Sequence, residues 1–164
     1  MKKILILLAI FCLGLPSYAA QVLGLWQTLH DNGKPKSVVR VYEENGIVYG
    51  KILLTYKTDG KPDLLMDEYG NLVCDESVRA AGMPGKPPLC GLVIIKGMRP
   101  GNRGIYNGGT ITNPKSGREY RADMRLEGNG DLIVTGRWGI FSRRQTAHPF
   151  TEEELAALLN LSGD

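Results

Sequence analysis

Turn-forming glycine and asparagine residues divide most of this chain into short segments, and the pattern within those segments is what most restricts the fold. Asn45-Gly46 and Gly128-Asn129-Gly130 each separate alternating or β-branched runs, which is typical of β-hairpins. Short strands at regular spacing, punctuated in this way, predict an all-β barrel or sandwich. The predicted strands lie near residues 23–30, 37–44, 47–56, 91–98, 104–113, 118–127, 131–138 and 142–148.

Two segments depart from the strand pattern. Residues 57–90 contain four prolines and scattered glycine without sustained periodicity, so a long loop is predicted there. Near the C-terminus, Thr151 and Glu154 form a capping box ahead of three leucines that share one helical face. A C-terminal α-helix is therefore predicted, with its apolar face docked on the outside of the β-structure.

The hairpin around Asn129 has one register that separates its apolar and polar side chains. Register is strongly specified where one face of a sheet is buried, so this alignment is the predicted one. The apolar face then contains the pairs Leu126/Leu132, Met124/Val134, Ala122/Gly136 and Tyr120/Trp138. The opposite face contains Arg125/Ile133, Asp123/Thr135 and Arg121/Arg137.

The same reasoning applied to Asn45-Gly46 favours a two-residue turn. The predicted inward pairs are Val39/Ile52, Val41/Gly50 and Ser37/Leu54. Two of the predicted inward pairs thus contain a glycine, Gly50 in one and Gly136 in the other. Each glycine either marks a bend needed for barrel closure or leaves volume for a ligand.

The first nineteen residues have the layout of a secretory signal peptide. Lys2 and Lys3 precede an apolar run from Ile4 to Leu15, and Ser17 and Ala19 fit the cleavage-site positions. The apolar run is too short to span a bilayer of about 30 Å, which argues against a membrane anchor. We expect residues 1–19 to be removed and residues 20–164 to form one secreted or periplasmic domain without stable membrane insertion.

Removal of Lys2 and Lys3 with this leader changes the formal net charge from +3 to +1. A nearly neutral chain without a clustered basic footprint gives no support for nucleic-acid binding. No nucleic-acid partner is predicted.

Two cysteines, Cys74 and Cys90, remain after the leader. An even number of cysteines in an oxidising compartment predicts one disulfide, with free thiols or a metal site as the alternatives. His30 and His148 lie far apart in the sequence and do not complete a zinc-ligand spacing. No metal or other cofactor is predicted.

The sequence lacks the common catalytic motifs. There is no nucleophile elbow, zinc-protease motif or phosphate-binding loop. Neither His30 nor His148 has a nucleophile nearby in the sequence, so both are predicted as solvated loop residues. An enzyme is therefore the least favoured class of function, and no catalytic residue is predicted.

Several short motifs, taken in order, resemble a known family. Gly24-Leu25-Trp26 is similar to the lipocalin signature on the first strand. The marks that follow are Ser37 to Tyr42, Asn45 to Ile52, Gly109-Thr110-Ile111, Asn113-Pro114, Gly117, Tyr120, Gly136 to Gly139 and Arg144-Gln145-Thr146. Over about residues 22–148 the chain resembles the exported bacterial proteins grouped as domain of unknown function 2147. The resemblance implies an eight-stranded antiparallel up-and-down lipocalin-like barrel, and supplies no established activity.

The resemblance also implies how one end of the barrel is closed. Trp26 would lie at the closed end, with Arg144 from a late strand stacked across its ring as a structural pair. Arg143 is the competing choice, because strand alternation lets only one of the two neighbours point inward.

Two classes of binding function follow. The first is a carrier of a small, largely apolar ligand inside the barrel, with the Tyr120 hydroxyl and the Trp138 N–H as polar anchors. Its predicted lining is Val39, Val41, Ile52, Leu54, Tyr120, Ala122, Met124, Val134 and Trp138. The same residues could instead fill a solid core. The second class is a protein-binding module, an inhibitor or envelope scaffold that acts through the loop at 57–90.

Overall fold

The computed structural model describes residues 22–160, and eight strands of this part of the chain close into an antiparallel barrel. A separate hairpin and one helix complete the described residues. The barrel strands are β1 (Gly24–Leu29), β2 (Pro35–Glu44), β3 (Ile47–Thr55), β6 (Val93–Pro100), β7 (Tyr106–Thr112), β8 (Glu119–Leu126), β9 (Leu132–Trp138) and β10 (Phe141–Phe150). The hairpin consists of β4 (Leu64–Met66) and β5 (Leu72–Cys74), and the helix is α1 (Glu152–Asn160).

The barrel strands pair in chain order, except that β3 pairs with β6 across the insertion that contains β4 and β5. β1 pairs with β10 and completes the closure. The predicted eight-stranded up-and-down barrel with a C-terminal helix is confirmed, and all eight predicted strands are present. The β4–β5 hairpin lies in the segment predicted as a loop, because three-residue strands are too short to show a periodicity.

The two ends of the barrel differ. At one end, here called the base, the connections after β2, β6 and β8 are short, and Val22 is almost fully buried there. The carbonyl oxygen of Val22 accepts a hydrogen bond of 2.9 Å from Trp26 Nε1, so the chain's own residues cover the base. The other end, the mouth, is surrounded by residues 30–34, 56–92, 113–118 and 139–140.

The two predicted hairpin registers are correct except at one end. On β8 and β9 every predicted pair from Leu126/Leu132 to Arg121/Arg137 is formed. On β2 and β3 the pairs Val41/Gly50 and Val39/Ile52 are also formed.

The predicted pair Ser37/Leu54 is wrong. An irregularity between Val38 and Val39 shifts the register by one residue, so that Val38 pairs with Leu54 and Ser37 with Thr55. The extra residue is Leu53 of β3, and such a bulge reverses the face of the β3 residues beyond it, whereas Ser37 on β2 stays inward. Leu54 therefore belongs to the outside of the barrel and not to its predicted inward set.

Apolar side chains from all around the barrel pack into one inner cluster toward the base. Its buried members are Val22, Trp26, Val39, Val41, Val48, Ile52, Ile95, Met98, Tyr106, Ala122, Met124, Leu132, Val134 and Ala147. The two inward glycines leave no vacant space beside them. A Cβ placed on Gly50 would lie 2.9 Å from Ile95 Cδ1, and one on Gly136 would lie 3.3 Å from Ile111 Cγ2. Neighbouring side chains thus occupy the volume that these glycines open.

A second, outer cluster lies between the barrel and α1. Leu25, Val38, Leu54 and Tyr56 are its buried members, and Leu155 and Leu158 of the helix pack against it. This arrangement confirms that the helix docks on the outside of the barrel through its apolar face.

The predicted capping box of α1 is formed. The Glu154 N–H donates to Thr151 Oγ1 at 3.0 Å, and the Thr151 N–H donates to Glu154 Oε2 at 2.7 Å.

Replacing Thr151 with alanine is expected to lower the free energy of unfolding by about 1 kcal/mol, because the Glu154 amide loses its acceptor. Denaturant unfolding followed by circular dichroism would measure this, with the exposed Thr58→Ala as control. Equal stability of the two variants would contradict the role of the cap.

The insertion between β3 and β6 is an ordered structure held to the barrel at several points. Cys74 and Cys90 form a disulfide with their Cα atoms 6.2 Å apart, as the cysteine count predicts. The Asp63 N–H donates to the Thr55 carbonyl at 2.8 Å, and the Gly82 N–H donates to the Pro114 carbonyl at 3.0 Å. The insertion therefore spans from β3 to the loop after β7.

The predicted signal peptide, residues 1–19, lies outside the described residues. Within residues 22–160, no helix has the length and apolar character needed to cross a membrane.

Candidate functional site

The nine predicted lining residues do not share one environment. Six of them, Val39, Val41, Ile52, Ala122, Met124 and Val134, are buried in the inner cluster, where they pack against one another. Leu54 lies in the outer cluster under α1. Only Tyr120 and Trp138 reach the mouth. The candidate site therefore lies at the mouth of the barrel, above its packed core.

Three aromatic rings form a row along one inner wall of the mouth. Tyr120 and Trp138 have ring centroids 5.2 Å apart, and Trp138 and Phe141 have centroids 5.9 Å apart. Trp138 is 45% exposed and Phe141 is 60% exposed, although strand alternation puts both on the inward face. Tyr120 Cβ lies 3.5 Å from the Cβ position of the inward Gly136, which fixes the side of the sheet on which the row lies.

The aromatic row is distant from the covered base. Trp26 pairs with Pro149 near the end of β10, whereas Phe141 begins that strand. Eight residues of extended chain separate them, or about 26 Å at the usual rise of a strand. The exposed aromatic rings therefore lie at the open end, where they can contact a ligand from solvent.

The wall formed by β1, β2 and β3 is polar near the mouth. Thr28 Oγ1 and Ser37 Oγ are 2.7 Å apart, and Thr55 Oγ1 donates to Asp63 Oδ2 at 2.8 Å. Ser37, Thr55 and Asp63 are all buried, so their hydrogen bonds offset the cost of removing them from water. The mouth thus has an aromatic side and a polar side.

Positive charge also lies at the mouth. Arg143 on β10 shares the inward face with Gln145 and Ala147, and it is solvent-exposed. Lys36 lies at the bulge where β2 leaves β1, because Thr28 pairs with Ser37 and Leu29 with Pro35. Burial lowers the pKa of the half-buried Lys36 ammonium, and the positive charges of Lys115 and Arg143 lower it further.

The predicted closure of the barrel by Trp26 and Arg144 is wrong. Trp26 is buried inside the base, but Arg144 pairs with Thr135 on the outward face and is exposed to solvent. Alternation from the buried Ala147 puts Arg143 on the inward face and Arg144 on the outer one. Trp26 is held instead through its hydrogen bond to Val22, and Arg143 lies at the mouth.

The two histidines occupy different environments. His148 lies on β10 and not in a loop as predicted, and the Nδ1 atom of its half-exposed ring is 2.8 Å from Asp131 Oδ1. His30 follows β1 and its Nε2 atom is buried without a hydrogen-bond partner in the described chain. Among residues 22–160, no serine, threonine or cysteine side chain is hydrogen-bonded to either histidine. That part of the chain also contains no group of three or more His, Cys, Asp or Glu able to hold a metal ion.

Two clefts lie on the outer surface of the barrel. The first, of about 470 Å³, is lined by Glu127, Gly128, Asn129, Asp131, Ile133, Arg144 and Thr146. The second, of about 460 Å³, is lined by Asn107, Gly108, Gly109, Thr110, Arg121, Ala122, Asp123 and Arg137. The first cleft is mostly polar, whereas the second combines charged side chains with glycine and alanine. Arg137 is salt-bridged to Asp123 in the second cleft, so its charge is already compensated.

The β4–β5 hairpin exposes apolar side chains outside the barrel. Leu65, Met66, Tyr69 and Val73 are all solvent-exposed there. This patch belongs to the segment predicted to carry protein recognition.

Comparisons with known proteins agree with this architecture. The model of a family described as uncharacterized protein conserved in bacteria (DUF2147) matches residues 24–148. Among solved structures, the chain is similar to protein HP1028 from the human pathogen Helicobacter pylori, which belongs to the lipocalin family. The two are 23% identical with a TM-score of 0.59, over 83% of this chain and 87% of that one, and this likeness shows the fold. The comparison with curated proteins found no match.

Proposed function

Since this chain belongs to the DUF2147 family of proteins conserved in bacteria and folds as a lipocalin-like barrel, we propose that it is an exported protein that binds one small ligand at the mouth of the barrel. The single observation that carries the proposal is the row of Tyr120, Trp138 and Phe141. Large aromatic rings left exposed on an inward face are costly in water and favourable against an apolar ligand. The largely apolar part of the ligand lies along this row.

Export is part of the proposal. The leader layout of residues 1–19 supports it, and so does the Cys74–Cys90 disulfide, because disulfides persist in oxidising compartments. Binding without catalysis is proposed because, among residues 22–160, no hydroxyl or thiol is hydrogen-bonded to a histidine, and the Thr55 hydroxyl that donates to Asp63 is buried.

Replacing Trp138 with alanine is expected to weaken binding of the neutral fluorescent probe N-phenyl-1-naphthylamine by about tenfold, since an aromatic contact contributes about 1–2 kcal/mol. The probe's fluorescence gain on titration measures the Kd. Because Trp138 is half-exposed, thermal unfolding of the variant should remain close to that of the parent protein. A parent protein that does not bind the probe would overturn the proposal.

Protein binding through the insertion remains the second proposal, favoured by the exposed apolar side chains of the β4–β5 hairpin. The double variant Met66→Ser/Tyr69→Ser serves as the matched control for Trp138→Ala, because it removes exposed apolar surface outside the mouth. Its Kd for the probe should equal that of the parent protein. If this variant loses the probe while Trp138→Ala retains it, the apolar binding surface is the hairpin and the second proposal is favoured.

A further inference from the structure

We propose that the mouth selects an amphiphilic ligand with an anionic head group, which Lys36, Lys115 and Arg143 bind while its apolar tail lies on the aromatic row. This inference rests on the proposed ligand-binding function and adds the chemical class of the ligand. Its first support is the position of Arg143, two residues beyond Phe141 on the inward face of β10. The head and tail contacts are therefore adjacent on one strand.

The second support is that no carboxylate of residues 22–160 forms a salt bridge with any of these three cations. Six salt bridges are formed among residues 22–160, and none of them includes Lys36, Lys115 or Arg143. The buried carboxylate on the polar wall of the mouth, Asp63, accepts a hydrogen bond from Thr55 and is in none of these salt bridges. Asp31 is the one carboxylate whose charge acts on Lys36 to raise its pKa, against the larger effects that lower it.

The third support is the half-buried position of Lys36. Its backbone carbonyl accepts a hydrogen bond of 3.0 Å from the Tyr56 N–H, which fixes the bulge that presents the side chain. Burial and the repulsion from Lys115 and Arg143 both disfavour its charged form. An anion bound among the three groups would relieve this repulsion and would gain charge-assisted hydrogen bonds, which are the stronger kind. Groups perturbed in this way cluster at functional sites.

The three residues come from separate parts of the fold. Lys36 is the second residue of β2, Lys115 lies in the loop after β7, and Arg143 lies on β10. Lys115 and Arg143 lie near enough for their charges to act on Lys36. A guanidinium and two ammonium groups from different elements of the mouth match a carboxylate or phosphate head, both of which offer several acceptor oxygens. The shared chemistry is an anion joined to an apolar chain, and the test separates the two head groups.

Displacement of N-phenyl-1-naphthylamine by dodecanoate, dodecyl phosphate and dodecanol tests the inference. The three compounds share an apolar chain and differ in the head group, which is a carboxylate, a phosphate or a neutral hydroxyl. We expect at least one of the anions to displace the probe at a concentration roughly tenfold lower than dodecanol does, since charge-assisted hydrogen bonds are stronger than those of a neutral hydroxyl. Raising NaCl from about 50 to about 500 mM should weaken the anion and leave dodecanol unchanged. The stronger of the two anions identifies the head group.

The variant Arg143→Gln is expected to reduce the preference for the anion over dodecanol roughly tenfold, and Lys36→Met should reduce it similarly. Arg144→Gln is the matched control, because Arg144 is the next residue on the same strand and points outward. Its preference should equal that of the parent protein.

Each outcome decides one hypothesis. Dodecanol that displaces the probe as well as both anions do, or equal losses in Arg143→Gln and Arg144→Gln, would overturn the anionic head group and leave ligand binding intact. Failure of the parent protein to bind the neutral probe at all would instead remove the proposed function.

Discussion

Replacing Trp26 with alanine is expected to lower the free energy of unfolding by about 3–5 kcal/mol, the range measured when large buried aromatic residues are truncated. Trp26 is 6% exposed and packs in the inner cluster at the base of the barrel. Its indole N–H also donates to the Val22 carbonyl, so truncation removes both packing and the anchor of the segment that covers the base. A domain of this size is stable by only about 5–15 kcal/mol, and the loss would be a large fraction of that.

A further variant separates packing from the hydrogen bond. Trp26→Phe keeps much of the apolar volume but leaves the Val22 carbonyl without its donor, and about 1–3 kcal/mol should be lost. It also keeps the prediction measurable if the alanine variant does not fold. Urea unfolding followed by far-ultraviolet circular dichroism measures all variants without dependence on tryptophan fluorescence.

Arg144→Ala is the control, because Arg144 is exposed on the outward face and remote from Trp26. Its unfolding free energy should lie within about 0.5 kcal/mol of the parent value. If Arg144→Ala lowers the free energy of unfolding as much as Trp26→Ala does, the two residues act together. That result would contradict closure of the base by Trp26 and Val22.

The barrel could be predicted from the sequence because the features that specify its strands lie within short segments of the chain. Turn residues and period-two alternation predict where the strands begin and end. Burial of one face determines the β8–β9 register from Leu126/Leu132 to Arg121/Arg137. The bulge near Val38 could not be predicted, because an extra residue in a strand leaves no mark in the hydrophobic pattern. For that reason the sequence pattern predicts Leu54 as an inward residue, although it packs under α1 in the structure.

The candidate site was less predictable than the fold. Tyr120 and Trp138 follow from the β8–β9 register, but which level of the barrel is filled depends on contacts between strands distant in sequence. Ile95 fills the space beside Gly50, and β3 and β6 are separated by the whole insertion. Alternation counted from Ala147 would have placed Phe141 and Arg143 inward; the family resemblance favoured Arg144 instead. Lys36 and Lys115 carry no sequence signal of a binding site, because Lys36 lies in no motif and the turn that contains Lys115 indicates only a chain reversal.

Removing the disulfide is expected to lower the free energy of unfolding by about 3 kcal/mol, the chain-entropy value for a closed loop of about fifteen residues. Cys74 and Cys90 are sixteen residues apart, and their Cα separation of 6.2 Å is normal for a disulfide. The double variant Cys74→Ala/Cys90→Ala is preferred to serine, because Cys74 packs against the outer apolar cluster. Reduction of the parent protein should reproduce its stability within experimental error.

The size of this loss depends on whether the insertion unfolds together with the barrel. Backbone hydrogen bonds join the insertion to β3 at Asp63 and at Gly91, so its two ends stay attached when the disulfide is absent. If the insertion opens separately, hydrogen exchange at the Val73 amide of β5 should increase in the double variant while exchange at the Val134 amide of the barrel core does not. If the two regions unfold as one unit, both amides should exchange faster by the same factor.

The bond itself is tested on exported protein from a bacterial host. Thiol labelling of unreduced, denatured protein should detect neither Cys74 nor Cys90, because both are in the disulfide. Labelling after reduction should detect both and provides the control for reactivity. Two labelled cysteines in the unreduced sample would contradict the disulfide, and with it one of the two supports for an oxidising compartment. Complete protection would leave the insertion covalently closed beside the mouth, where the ligand is proposed to enter.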